Sequence, residues 1–196
     1  IRATFQKENK AAIDELYKKN VAEITRNSSK LAISLANYNA QTINIDFERI
    51  IGEIKTMKGD IETLYRNGGT SDYTPISRYE EYIISQAASP KTEEVDRTLK
   101  YLSSATSMFD NILDIEPKIS LAYIVLENGM VISSTDTFYE AVEKADMRTR
   151  DWYKGAVAAG EVNWSDLYKG TDSRSYITCA TPVYDPNGVL FGVLAF

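Results

Sequence analysis

The sequence has no histidine and a single cysteine, Cys179, among its 196 residues. Without histidine, the chain lacks the commonest general base and the commonest transition-metal ligand. One thiol cannot close a disulfide within the chain, and no activating base lies near it in sequence, so we interpret Cys179 as a small buried hydrophobe. The sequence also has no Gly-rich phosphate loop, metal-ligand spacing or nucleophile–base pair. We therefore expect no enzyme, no catalytic residue, no metal and no cofactor.

Basic residues are too few and too scattered for a nucleic-acid partner. Lysine and arginine total 22 against 28 acids, a net charge of −6, whereas a phosphate-binding protein needs a basic face. No run of 18 apolar residues and no signal peptide occur, so the sequence itself predicts no membrane span. Because it starts at Ile1 and stops inside an apolar run at Phe196, we expect both ends to be cuts from a longer protein.

Proline is absent before Pro75, and the preceding residues predict one long helix from about Phe5 to Tyr65. Its apolar or tolerated positions recur every three or four residues: Ile13, Tyr17, Val21, Ile24, Ser28, Leu31, Leu35, Tyr38, Thr42 and Ile45. After a phase shift they continue at Phe47, Ile50, Ile54, Met57, Ile61 and Leu64. Polar residues interrupt the seam. Two alternatives stay open: the helix packs on a domain for part of its length, or it pairs with a second copy.

Turn residues divide the rest of the chain. A loop over Asn67–Asp72 precedes a short predicted helix over Ser77–Ser85 and a further helix from Thr92 to about Leu113. Then follow, in order, a strand Leu121–Leu126, a two-residue Asn128-Gly129 turn, a strand Met130–Ser134, a helix or loop Phe138–Met147, a helix Asp151–Ala159 closed by Gly160, a strand Ser173–Tyr184, a turn Asp185–Gly188 and a strand Val189–Phe196. This order predicts an α+β fold, with an antiparallel sheet of about five strands flanked by helices.

Four segments of the C-terminal part resemble the double Cache family of extracytoplasmic bacterial sensor domains. Asp146–Tyr153 resembles that family's D-x-R-x-R-P-W-Y signature, and Asn163–Tyr168 resembles its W-S-x-x-Y element. Tyr176–Asp185 and Gly188–Ala195 follow in the family's order. The resemblance implies a long helix that carries signals or dimerises, residues 1–66, and a PAS-like, membrane-distal module, residues 67–196. It also implies that this module is cut at its C terminus and that the membrane-proximal module is absent.

The resemblance also implies a ligand pocket. In amino-acid-binding members, an Arg and a Trp of the signature hold the ligand carboxylate, and tyrosines and an Asp hold its ammonium group. By position, the Arg, the Trp and the tyrosines are Arg150, Trp152, Tyr153 and Tyr168. That Asp would directly follow Phe196. We add Asp146, Tyr123 and Ser133 as candidate ligand-binding residues. The sequence departs from the pattern at Ala145, where amino-acid binders carry a tyrosine.

Each candidate has a simpler interpretation. Arg150 would otherwise be a surface arginine paired with Asp146 or Asp151. Trp152 and its neighbour Tyr153 would only anchor a helix to the sheet. Tyr168 would be a surface aromatic of a polar loop. The small side chains of Thr178–Thr181 either leave room for a ligand or pack tightly against a helix.

These observations predict a small-molecule sensor domain of a bacterial transmembrane receptor, placed outside the cytoplasm. We expect the full-length protein to be anchored by flanking membrane spans, and a homodimer through its long helix is one of the two alternatives for that helix. The expected ligand is an amino acid or a similar amine or carboxylate. The alternative is a ligand-free interaction or dimerisation module, which the departure at Ala145 favours.

Overall fold

One helix, α1, runs from Arg2 to Arg66, as the spacing of apolar residues predicts. The structure is a computed structural model that describes residues 2–68, 98, 100–102, 104–134, 145–170 and 172–196. The chain divides into two compact units, Ile1–Glu48 and Arg49–Phe196.

The first unit consists of helix whose apolar side chains are largely exposed. The large exposed ones are Ile13, Leu16, Tyr17, Val21, Ile24, Leu31, Ile33, Leu35, Tyr38, Ile43 and Ile45. Residues 31–45 contain no charged side chain at all. Water is therefore in contact with more apolar surface here than a solitary helix ordinarily presents.

The second unit is built on an antiparallel sheet. The remaining elements are α2 (Ala105–Ile115), β1 (Tyr123–Leu126), β2 (Val131–Ser133), a 3-10 turn (Met147–Thr149), α3 (Asp151–Ala159), β3 (Asn163–Trp164), β4 (Tyr168–Lys169), β5 (Ser175–Tyr176), β6 (Cys179–Tyr184) and β7 (Leu190–Ala195). Five strands pair in the order β2-β1-β7-β6-β3, and β4 pairs with β5 in a separate hairpin. The predicted α+β fold with an antiparallel five-stranded sheet is thus confirmed.

The aliphatic face of the main sheet carries Ile124, Leu126, Ile132, Val183 and Leu194, all buried. The second half of α1 covers this face with Ile50, Ile54, Met57 and Ile61, and α2 adds Ala105, Phe109 and Ile112. Only here does the seam of α1 become a core stripe, because these residues have a sheet to bury against. Complete burial of a side chain of this size contributes about 1.5–3 kcal/mol.

An ion pair fixes α1 where this stripe begins. Arg49 Nη2 lies 2.7 Å from Oε2 of Glu116, whose side chain is only 3% exposed. The other oxygen of Glu116 accepts a hydrogen bond from the backbone N–H of Lys118 at 3.1 Å. A buried carboxylate is tolerated when both oxygens are satisfied in this way.

The tyrosine face is the opposite side of the sheet. It carries Tyr123, Val125, Val131, Ala180, Val193 and Ala195, and it packs against Met147, Trp152, Tyr153 and Ala156. The sides alternate because successive strand residues point to opposite faces. In the Thr178–Thr181 run, Cys179 therefore faces the aliphatic core and Ala180 faces α3. The small side chains of this run pack against a helix, one of the two predicted alternatives.

Two predictions about the strands are wrong in detail. The loop between β1 and β2 has three residues rather than two, because Glu127 joins Asn128 and Gly129: the N–H of Gly129 bonds to Leu126 O and Gly129 has a φ of 88°. This is a turn followed by a left-handed glycine that forms a bulge.

The second error concerns Ser173–Tyr184, which is two strands rather than one. The chain leaves β5 at Tyr176 and enters the main sheet only at Cys179. The backbone N–H of Thr178, at the break, donates to the side chain of Ser165. The predicted helix Ser77–Ser85 lies outside the described residues, as do the first residues of the Thr92 helix and most of Phe138–Met147.

Within the part of the chain that the structure describes, none of the helices has a stretch apolar and long enough for a bilayer.

Candidate functional site

Helix α3 places the signature residues on the tyrosine face. Asp151 occupies its first turn, where the family pattern has proline, and both residues suit a helix start. Gly160 ends the helix with a φ of 72°, a left-handed conformation that favours glycine. The buried residues of α3 are Trp152, Tyr153 and Ala156. Because both adjacent aromatics are buried, the first turn of α3 is held on two sides.

Arg150 lies at the junction between the 3-10 turn and α3. Its backbone is extended, with φ −71° and ψ 146°. Its guanidinium carbon is 5.1 Å from the ring centre of Tyr168, a favourable cation–π position. Among the described residues its side chain donates one hydrogen bond, from Nη2 to the carbonyl of Lys169 at 3.1 Å. A guanidinium has five N–H donors, so most of this one is available to another acceptor.

Hydroxyl groups cluster beside this arginine. Tyr168 Oη and Thr178 Oγ1 are 2.7 Å apart and share a hydrogen bond. Thr178 also hydrogen-bonds to Tyr123, and burial raises the pKa of Tyr123 well above its ordinary value, with the neighbouring Tyr168 adding to the shift. Arg150 opposes that shift. The three hydroxyls and the guanidinium therefore lie within electrostatic reach of one another.

Trp152 and Ser133 complete the arrangement. The ring of Trp152 meets that of Tyr123 edge to face, with centroids 5.6 Å apart. Ser133 lies directly opposite Tyr123 on the neighbouring strand, so the two share the tyrosine face, and Ser133 is buried. An aromatic wall with a few polar groups is the lining typical of small-molecule sites.

A second arginine, Arg148, donates a hydrogen bond from each of its three guanidinium nitrogens. It bonds to Asp146 from Nε at 3.0 Å and from Nη2 at 2.7 Å, and its Nη1 donates to the carbonyl of Glu127 at 2.7 Å. Asp146 also caps the 3-10 turn by accepting the backbone N–H of Arg148. The Arg148 side chain holds the pKa of Asp146 below its ordinary value. The pair is a closed, charge-assisted unit.

Tyr153 points toward the β1–β2 loop. Its hydroxyl donates to Oε1 of Glu127 at 2.8 Å. Burial raises the pKa of Tyr153, and the bond to Glu127 adds to the shift. Neither Glu127 nor Arg148 was among the predicted residues. Arg148 and Tyr153 contact Glu127 across 21 and 26 positions of sequence, so no local pattern reveals these bonds. The only sequence signal that pointed to Arg148 was its place as the first Arg of the D-x-R-x-R signature.

The structure thus brings Arg150, Trp152, Tyr168 and Tyr123 together, with Ser133 opposite Tyr123. Asp146 and Tyr153 are instead bound to Arg148 and Glu127. Within the described ranges, no three His, Cys, Asp or Glu side chains converge as a metal site would require.

This fold, with the second half of α1 on one face of the sheet and an arginine–tyrosine cluster on the other, is that of a PAS-like sensor domain. Residues 92–196, more than half of the chain, match the family described as methyl-accepting chemotaxis protein-like, first PDC sensor domain. The chain belongs to this family. The match confirms the resemblance to Cache-type sensors. A search of curated proteins finds no match.

Solved structures of chemoreceptor sensor domains are also similar to the chain. The sensory domain of a Campylobacter jejuni chemoreceptor with isoleucine bound is 17% identical, with a TM-score of 0.42, over 78% of this chain and 60% of that one. The ligand-binding domain of the Pseudomonas aeruginosa receptor PctC with GABA is 22% identical, with a TM-score of 0.37, over 76% and 62%. The chain therefore spans less than two thirds of either domain.

Proposed function

We propose that this chain is the sensing part of a bacterial transmembrane receptor, lies outside the cytoplasm, and binds a small carboxylate-bearing molecule on its tyrosine face without transforming it. The free donors of Arg150 carry the proposal. A guanidinium binds a carboxylate through two parallel N–H groups, and Arg150 keeps such donors beside three hydroxyls and an indole ring.

The contrast between the two arginines supports this choice. In the simpler interpretation, Arg150 forms an ion pair with Asp146, and its charge would then already be neutralised. That carboxylate is bound by Arg148 instead. Among the described residues, the Arg150 side chain has a backbone carbonyl and the Tyr168 ring as partners. A ligand carboxylate would add an ionic interaction that neither of these supplies.

The test is a thermal-shift screen of the chain against amino acids, amines and organic acids, beginning with isoleucine, arginine and GABA. At 100 times its dissociation constant, a ligand stabilises the fold by about 2.7 kcal/mol. Arg150→Ala should weaken binding about 10- to 100-fold, the equivalent of the 1.5–3 kcal/mol of a charged hydrogen bond. Arg174→Ala, at a side chain 79% exposed, is the matched control.

Two results would count against this proposal. If the chain converts a bound compound into a product, it is an enzyme rather than a sensor. If the chain is folded and no compound raises its melting temperature, the result would favour the alternative, a ligand-free interaction module. That alternative has its own support, because Ala145 packs partly buried on the tyrosine-face cluster at the position where the resemblance leads us to expect a tyrosine.

We further propose that the first unit pairs with a second copy and that α1 transmits the signal. Its exposed apolar residues keep coiled-coil spacing from Tyr17 through Leu31 and Leu35 to Ile45. The hydroxyl of Thr42, on this seam, donates to the carbonyl of Tyr38 at 3.0 Å, so it can be buried without losing its partner. A ligand would then shift the equilibrium between two arrangements of the paired helices, and only to the extent that it binds one arrangement more tightly than the other.

Analytical ultracentrifugation tests the pairing. The chain should associate in a concentration-dependent way, and Leu31→Asp should abolish association because it buries a charge in the seam. Lys30→Asp, one residue away and off the seam, should leave it intact. A chain that sediments as a monomer at every concentration would remove this part of the proposal.

A further inference from the structure

Arg150 lies between two residues that both hydrogen-bond to Glu127. Two positions before it, the Arg148 side chain donates to the backbone carbonyl of Glu127. Three positions after it, Tyr153 donates to the carboxylate of the same residue. The segment that carries Arg150 is therefore fastened at both ends to one residue of the β1–β2 loop.

The upstream fastening is the more constrained. Asp146 accepts from both the backbone and the side chain of Arg148, and the N–H and hydroxyl of Thr149 both donate to Asp146 O, at 3.1 and 2.7 Å. The N–H of Arg150 in turn donates to Met147 O at 3.1 Å. These bonds constrain the turn before α3, and Arg148 ties it to the sheet through Glu127.

We propose that Arg148 is a positioning residue: by tying the turn before α3 to Glu127, it sets the place and direction of the Arg150 guanidinium beside Tyr168. This inference rests on the proposed function, because it assigns Arg148 to the ligand site that Arg150 defines. Arg148 is assigned no ligand contact, since its Nε, Nη1 and Nη2 each already donate to Asp146 or Glu127.

The chain contains a matched control for this arginine. Asp172 and Arg174 repeat the Asp-x-Arg spacing, with Arg174 Nε 2.7 Å from Asp172 Oδ2 and the Arg174 N–H on Oδ1. That pair lies on the exposed β4–β5 hairpin, and among the described residues Arg174 makes no further side-chain hydrogen bond. It shares the local chemistry of Arg148 but lacks the tie to Glu127.

The test compares Arg148→Lys with Arg174→Lys. Lysine keeps the positive charge, but its ammonium group lacks the planar guanidinium geometry that lets Arg148 bind Asp146 and the Glu127 carbonyl at the same time. The readout is the Nε–Hε NMR cross-peak of Arg150, which the nearby Tyr168 ring displaces in the absence of any ligand. In Arg148→Lys we expect this cross-peak to move toward the position of a solvent-exposed arginine. In Arg174→Lys it should stay in place.

Isothermal titration with L-isoleucine and with GABA supplies the second readout. A probe that binds the wild-type chain should bind Arg148→Lys at least tenfold more weakly, at a temperature where both are fully folded. Should neither probe bind the wild type, the ligand class of the proposed function fails, while the cross-peak still decides the role of Arg148.

An unmoved Arg150 cross-peak in folded Arg148→Lys, or an unchanged affinity, would overturn the inference and leave Arg148 as a stabilising residue only. If that variant does not fold, Asp146→Asn replaces it. The asparagine oxygen still accepts the backbone N–H of Arg148, while the loss of charge loosens its side chain. The same displacement of the Arg150 cross-peak is then expected, and its absence is equally decisive.

Discussion

The two faces of one sheet differ in chemistry although the same strands build them. The aliphatic face is covered by Ile54, Ile61 and Phe109, all fully buried and without polar atoms in their side chains. The tyrosine face has aromatic rings with hydroxyls, a guanidinium and alanines. Stability and the proposed ligand recognition are therefore separable here, because a residue belongs to one face or the other by its position along the strand.

The largest expected effect is on the aliphatic face. Phe109→Ala should lower the free energy of unfolding by about 3–5 kcal/mol, because it removes a fully buried ring and leaves a cavity. Ile115→Ala, in the same helix but 69% exposed, should change it by less than about 0.5 kcal/mol. Urea unfolding measures both. If the two variants lose equal stability, α2 does not pack as described.

A smaller effect, from both faces, is expected at alkaline pH. Burial raises the pKa of the Cys179 thiol from 9.0 to about 12, and burial raises the pKa of Tyr123 well above 10.0. Both groups stay protonated in the folded chain after they ionise in the unfolded one. Their contribution to stability is complete below the unfolded pKa and is lost as pH rises toward the folded pKa.

Each group should therefore remove at most about 1.4 kcal/mol of stability per pH unit, from pH 9 for Cys179 and from pH 10 for Tyr123. Urea midpoints at successive pH values measure this loss. Cys179→Ala should flatten the lower part of the curve and Tyr123→Phe the upper part. A curve that is flat to pH 11 in the wild type would contradict the burial of both groups.

The fold followed from the sequence where the signals are local. The spacing from Ile50 to Ile61 identified the core stripe of α1, and Gly160 identified the end of α3. The length of the β1–β2 loop did not follow, because an Asn-Gly pair suits both a two-residue turn and a three-residue turn with a bulge. The sequence has no local signal that places Glu127 in the loop rather than the strand.

The site was predictable in part, for a similar reason. The signature drew attention to Arg150 and Trp152. In the structure Arg150 lies beside the Tyr168 ring and Trp152 contacts the Tyr123 ring. The signature could not tell which arginine would take Asp146, because Arg148 and Arg150 are two and four residues away from it. That choice depends on Glu127, which lies in the β1–β2 loop, distant in sequence. The break at Thr178 is likewise set by its bonds with Ser165, thirteen residues earlier.

The alanines of the tyrosine face have a consequence for how such a sensor changes over evolution. Ala180 and Ala195 are direct partners on adjacent strands, and Ala156 of α3 is buried against the same cluster. These three small side chains set how closely the helix approaches the sheet. A single added methyl group would lift α3, and Trp152 with it, without altering any polar group. At the proposed ligand site, selectivity for ligand size would therefore change independently of charge recognition, through substitutions at positions that no ligand needs to touch.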